Sequence, residues 1–377
     1  MKLSSLFFLF FVLGCSKKID LNPDLVSLKL SPSSYKRIVK KRKEALNKGL
    51  LYSFKEDFVE GNVIFNGDSI NVKARLKGDH LDHLKGNRWS FRIKSEKPIL
   101  GHRKFSVHNI AARRYQLEWA FHELLKHIGV IGLDYHFIEF SLNDSLKGIY
   151  AYESHFKNEL LDSNNRAHGP ILGFDESTHW KGSRFDSLHF LVKDDSLMVN
   201  ADLKIYNKKW CAKNKILKYE ALSKLNDLQK GRGELDTIID IELWAKYITI
   251  SELMGFFHNL RWHNLKFYFN PKTKLLEPIG YDSGANFDLS YVWFLSDKLE
   301  LIYHPMRKSD VFMKSLKSQF NIVKQEEWLD EFFDKNRATI DYNERLVQIE
   351  NSSYSFQERT FYYSQDKLVI PKSTKVE

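Results

Sequence analysis

Cysteine is nearly absent, with Cys15 and Cys211 the only thiols in 377 residues. Cys15 belongs to the leader described below, so the mature chain keeps one thiol and has no internal disulfide. Cys211 reads as a small buried apolar residue. The sequence also lacks a P-loop, a nucleophile elbow and a zinc-protease motif. No tract is polar enough for long disorder, and 43% apolar with 14% aromatic side chains suffices for a large core. These limits leave a folded, enzyme-sized protein of one or two domains.

The first residues stand apart. "MKLSSLFFLFFVLGCSKK" has Lys2, then an apolar run from Leu6 to Leu13 too short to span a bilayer as a helix, then Gly14 and Cys15. The segment resembles a bacterial lipoprotein signal whose lipobox is Val12-Leu13-Gly14-Cys15. That resemblance implies removal of residues 1–14, acylation of Cys15 and a cell-envelope location, periplasmic or outer-surface, on a lipid anchor. A plain secretory signal with a chance cysteine is the other reading. Ser16 to about Ser31 is then expected to form a short tether.

Net charge is +10, and much of the excess lies in "YKRIVKKRKEALNKG", Tyr35 to Gly49. Ser33 or Ser34 as N-cap and Gly49 just past the end mark this segment as a helix. Near a lipid anchor it either lies against anionic headgroups or is a solvated connector. Elsewhere the positive charge is spread thinly, and an exported protein rarely meets nucleic acid, so none is expected as a partner.

Residues 51–155 read as β-rich. Asn66-Gly67 signals a tight hairpin, followed by alternation that puts Val72, Ala74 and Leu76 on one face and Lys73 and Arg75 on the other. "RWSFRIKSEKP" repeats this, with Trp89, Phe91 and Ile93 opposite Arg92 and Lys94. The pattern predicts an antiparallel sheet with one wet, basic face. A helix follows over Arg113–Ile128, with Leu117, Phe121, Leu124 and Leu125 on its apolar stripe and Glu118 off it. Two strands then flank the Asn143-Asp144 turn. Residues 158–235 read as a long loop or insertion before a Lys-rich helix around Asn214–Lys230, and loops of such length have function or local structure of their own.

Asp240 caps a helix that delivers the chain into "HNLRWHN". Then "LKFYF" and "LLEPIGY" form a hairpin turned at Asn270-Pro271-Lys272, with Asn264 before the first strand and Asp282 after the second. Antiparallel pairing makes those two ends adjacent. The two residues are either turn formers or two oxygen ligands aimed at one hard cation such as Mg²⁺.

Several pieces together resemble the spore coat protein H (CotH) kinase-like family. They are "RLKG" at Arg75–Gly78, "FRIK" at Phe91–Lys94, "YQLEWAFHELLKHIG" at Tyr115–Gly129, "GIYAYESHFKNELL" at Gly148–Leu161 and "HNLKFYFNPKTKLLEPIGYD" at His263–Asp282. The resemblance implies an α+β, atypical protein-kinase-like two-lobed fold. Its N-lobe, residues 51–155, would be an antiparallel sheet; its mainly helical C-lobe would be residues 156–377, completed by "EEWLDEFFDKNRATI". It further implies ATP and Mg²⁺ as cofactors, with Asn264 and Asp282 on the metal. Lys94 would face the nucleotide phosphates, Glu118 would be its helix partner, and Glu153 would start the hinge between lobes.

One departure weighs against activity. The position five residues before the metal-binding Asn, where kinases carry the proton-accepting Asp, is Asn259, which has no basic side chain; His258 beside it is the substitute. Gly284 stands where many relatives have a second acid. The expectation is therefore an exported nucleotide- and Mg²⁺-binding protein that transfers phosphate to a protein or envelope acceptor. The alternative is a catalytically impaired pseudokinase that binds a protein or envelope-polymer partner. "GDHLDHLKG" separately offers Asp79, His80, Asp82 and His83 as a transition-metal loop. The anchor has a direct check: Cys15→Ala is expected to leave a soluble or uncleaved form, and fatty-acid labelling that persists in this variant would refute it.

Overall fold

A computed structural model describes residues 21–177, 195–283 and 292–370. Cys15, the leader and Gly284 lie outside the described residues. Seven strands, β1 (Leu25–Leu30), β2 (Val59–Phe65), β3 (Asp68–Leu76), β4 (Phe91–Ile99), β5 (His102–Asn109), β6 (Tyr135–Leu142) and β7 (Ser145–Ser154), close into a barrel in the order β1-β2-β3-β4-β5-β7-β6. The Asn66-Gly67 turn between β2 and β3 has positive φ at both residues, 51° and 83°, as the right-handed twist of a two-residue hairpin requires. Alternation along β3 buries Ile70, Val72, Ala74 and Leu76. These side chains meet Phe91, Ile93, Phe105, Phe140 and Tyr152 in the barrel core.

This architecture corrects the expected fold. The sheet is neither open nor wholly antiparallel, so the two-lobed kinase-like fold inferred above does not describe the chain. The residue-level cause is β1. It pairs antiparallel with β2 and parallel with β6, Val26 opposite Phe140 and Leu28 opposite Leu142, and so joins the two sheet edges. Residues 25–30 were expected to be tether. The short alternation of "LVSLKL" instead buries Val26, Leu28 and Leu30. The basic helix α1 (Pro32–Lys48) follows directly, capped by Ser31, whose hydroxyl accepts from the Ser34 amide, and ended by left-handed Gly49. Its Ile38 and Ala45 belong to the barrel core, which makes it a packed part of the domain.

After α2 (Gln116–His127) the chain returns to the barrel for β6 and β7, and beyond β7 it builds a helical part around a second sheet. That sheet contains β8 (Ile171–Phe174), β9 (Leu203–Ile205), β10 (Lys266–Phe269) and β11 (Leu276–Ile279) in the order β11-β10-β8-β9. The predicted hairpin is β10 and β11, with Lys266 opposite Ile279. The stretch read as loop or insertion supplies β8, β9 and the helix Lys215–Lys230, so it carries local structure. Cys211 is buried. The helix Glu326–Glu350 ties back to the barrel at its end, where Glu350 accepts from the Ile149 amide at 2.7 Å and pairs with Arg88 at 2.7 Å.

Leu28 separates strand from tether. Leu28→Ala is expected to lower the unfolding free energy by about 2–5 kcal/mol in denaturant titration. A change within about 0.5 kcal/mol, as for an exposed tether residue, would remove β1 from the barrel.

Candidate functional site

Where the outer faces of β3 and β4 approach the end of the β10–β11 hairpin, a cavity of about 730 Å³ opens. Asp282, Asn264 and His258 line it from the helical part; Arg75, Lys77, Asp79, Arg92 and Arg113 line it from the barrel side. The hairpin thus brings Asn264 and Asp282 to one cavity, as its antiparallel geometry predicted.

Asp282 is held from three directions. Arg113 Nη1 lies 2.7 Å from its Oδ1, and His258 Nε2 lies 3.8 Å from its Oδ2. Its backbone is left-handed, φ 57°, unusual for a non-glycine residue and sustained only by surrounding contacts. Glu118 supplies them: its carboxylate accepts from the Ser283 amide at 3.1 Å and from the Ser283 hydroxyl at 2.8 Å. Burial opposes the charge of Glu118, but His122, 3.3 Å away, and Arg113 hold it ionised, below the usual carboxylate range. Burial likewise opposes the charge on Arg113, yet Asp282, Glu118 and Glu153 around it raise its pKa. Arg113 is aimed by the backbone after it, where Arg114 and Tyr115 take successive positive φ values and turn the chain into α2.

A second buried pair borders the cavity. Lys77 Nζ lies 2.8 Å from Glu153 Oε1, and His108 Nε2 lies 3.5 Å from Glu153 Oε2. Burial lowers Lys77 to about 8 against the pull of Glu153. It also drives His108 down to about 4, with Lys77 adding repulsion. Burial disfavours the Glu153 charge too, but Lys77 and His108 outweigh it and keep the carboxylate ionised.

The implied partnerships are therefore redistributed. Glu118 pairs with His122 and Ser283, and the buried Lys–Glu pair is Lys77–Glu153. Lys94 sits over the Phe58 ring at 3.7 Å and lines an adjoining basin. Glu153 lies inside β7, fully buried, and does not start a hinge. His258 lines the cavity; Asn259 does not, being fully buried, with its amide donating to Tyr247 Oη at 3.1 Å and Ser251 Oγ at 2.7 Å. In the His-rich loop, Asp79, His80, Asp82 and His83 all line the cavity, with His83 Nδ1 3.0 Å from Ser90 Oγ and Asp82 accepting from the His83 amide. Among the described residues no group of three His, Cys, Asp or Glu side chains is placed to hold a metal.

Asp79 was not recognised as a cleft carboxylate by its sequence pattern. Burial, together with Glu176 and Asp282 nearby, pushes its carboxyl up to about 7, against Arg75 and Arg113. Arg113, which the sequence pattern puts at the start of a helix, where an arginine usually faces solvent, lies instead in the turn before α2. The quoted "RLKG" and "FRIK" stretches did contain Arg75, Lys77 and Arg92.

Mg²⁺ prefers oxygen donors, often one or two carboxylates with waters. Asp282 Oδ1 is buried without a hydrogen bond, and the Asn264 amide nitrogen is spent on the His258 carbonyl at 3.0 Å, which leaves its oxygen as the free end. Asp282 and Asn264 fit such an ion, with Arg113 as the competing cation on the same carboxylate. Compared with known proteins, the chain matches no family model and no curated sequence.

Asn259 yields the sharpest check of this placement. Ser251 Oγ already donates to the Tyr247 carbonyl at 2.8 Å, and Tyr247 Oη to the Asn259 carbonyl at 3.1 Å, so neither hydroxyl proton is free for a carboxylate. Asn259→Asp is expected to cost about 1–3 kcal/mol of stability in chemical denaturation with no gain in turnover. A variant of unchanged stability and raised phosphate transfer would put Asn259 back at the base position.

Proposed function

We propose that the protein is an exported, lipid-anchored phosphotransferase whose cavity binds a nucleoside triphosphate with Mg²⁺ and passes the terminal phosphate to an acceptor hydroxyl. The observation that carries this reading is the meeting, in one cavity, of the hairpin-end oxygens of Asn264 and Asp282 with a barrel wall bearing Lys77, Arg75 and Arg92. The cations attract and orient the phosphate oxygens, and arginine forks match them bidentately. A bound Mg²⁺ would add neutralisation of the phosphate charge at Asp282 and Asn264. Asp79, on the same wall system, takes the acceptor proton. The acceptor oxygen then bonds to the terminal phosphorus as the bond to the bridging oxygen breaks, and the diphosphate leaves with the electron pair. The resemblance to the CotH kinase-like family is retained here for site chemistry only.

One observation favours a second reading, in which the protein binds an envelope polymer or protein without catalysis: Arg113 already neutralises Asp282. Thermal shift and phosphate transfer decide between them. With ATP and Mg²⁺ the wild type is expected to be stabilised and Asp282→Ala is not. Asp79→Asn is expected to keep the shift while losing on the order of 10²- to 10⁴-fold in transfer. Absence of a shift in the wild type, or an equal one in Asp282→Ala, sinks the nucleotide reading; a shift without transfer leaves the binding protein.

A further inference from the structure

Next to the cavity lies a second basin of about 1050 Å³. Eleven lysine or arginine residues line it against three carboxylates. The imbalance is built into the barrel. In the register of β3, β4 and β5, Lys94 stands directly opposite Lys73 on one side and Lys104 on the other, and Arg75 stands opposite Arg92. Like charges facing each other across strands destabilise a sheet, and alternation from the barrel core forces all five onto the same outer face. Lys73 alone of the five has a carboxylate partner among the described residues, Glu60 at 2.7 Å.

The other four are not simply solvated. Arg92 is 8% exposed, and its Nη1 is buried without a hydrogen-bond partner. Lys104 is driven well below the usual lysine range, first by burial and then by Arg92, Lys157 and Lys94. From the helical side Lys204, Lys208 and Lys209 face the same space. An unpartnered, desolvated guanidinium amid crowded lysines is costly alone and favourable around an anion.

We propose that this basin binds an anion carrying several phosphate groups. A phosphate chain matches it better than a carboxylate chain because each group offers three acceptor oxygens and up to two charges to arginine forks and lysine points. The site stands beside the nucleotide cavity and shares Arg75 and Arg92 with it, whereas Lys104, Lys208 and Lys209 line only the basin and report on it alone.

Tripolyphosphate is the probe, titrated calorimetrically into the full-length protein without Mg²⁺. Saturable binding near one per chain is expected, weakened by added salt. Lys104→Gln and the Lys208→Gln/Lys209→Gln pair are each expected to bind roughly ten-fold more weakly, while Lys104→Arg keeps binding. Thermal melts of each variant separate lost binding from lost folding, and two walls are tested so that one misfolded variant does not decide the matter. Phosphatidylglycerol vesicles form a second arm: lysine-dependent vesicle binding assigns the phosphates to lipid headgroups, and its absence assigns them to a soluble ligand. No saturable tripolyphosphate binding, equal binding of a polyglutamate of matched charge, or folded variants that bind like the wild type would overturn the proposal.

Discussion

The buried ion pair between Arg113 and Asp282 is the contact on which the cleft depends. Asp282 is 9% and Arg113 7% exposed, and removing one member of such a pair leaves the other charge uncompensated at a cost of about 3–5 kcal/mol. The pair fixes the segment leaving β5 to the end of the β10–β11 hairpin, so it couples the barrel to the helical part. Glu118 supports it from α2 by gripping Ser283, which holds Asp282 in its left-handed backbone. One carboxylate thus depends on a guanidinium in front and a second carboxylate behind.

Around that pair the protein sorts its charges by burial. Lys77, Glu153 and His108 cluster within the barrel wall, with the lysine and glutamate charged and hydrogen-bonded and the histidine neutral. Such a cluster stiffens the wall because no member has another partner of comparable strength. Asp79 and the cations toward the basin lack that local satisfaction. Unbalanced charge in a recessed place is where an external ligand contributes most, because desolvation has already been suffered in the empty protein. The cavity and the basin share Arg75, Arg92, Glu176 and Tyr281 along their border.

Local patterns were legible at several turns and caps, although the cap expected at Ser33 or Ser34 is Ser31, because Pro32 opens the helix. Asn66-Gly67, the Asp240 cap and Gly49 all act where their chemistry predicts. The β10–β11 hairpin was legible too, and with it the convergence of Asn264 and Asp282, because antiparallel pairing makes its two ends neighbours without reference to the rest of the chain. Asn259 was misjudged because a spacing of five residues says nothing of which way a buried amide points; Tyr247 and Ser251, on the preceding helix, decide that.

What the sequence by itself determined, then, was the hairpin of β2 and β3, the helices around residues 35–48, 116–127, 215–230 and 241–253, and the two residues at one end of the β10–β11 hairpin. Tertiary structure alone decided that β1 closes the sheet, since six residues of weak alternation pair with β6 only once strands more than a hundred positions apart are brought together. It also decided the distant partners of the buried charged groups. Arg113 reaches Asp282, Lys77 reaches Glu153, and Glu118 reaches Ser283, across separations of 76 to 169 residues. Ion pairs act over a few ångströms of space, and no periodicity in the chain encodes which distant residues will share them.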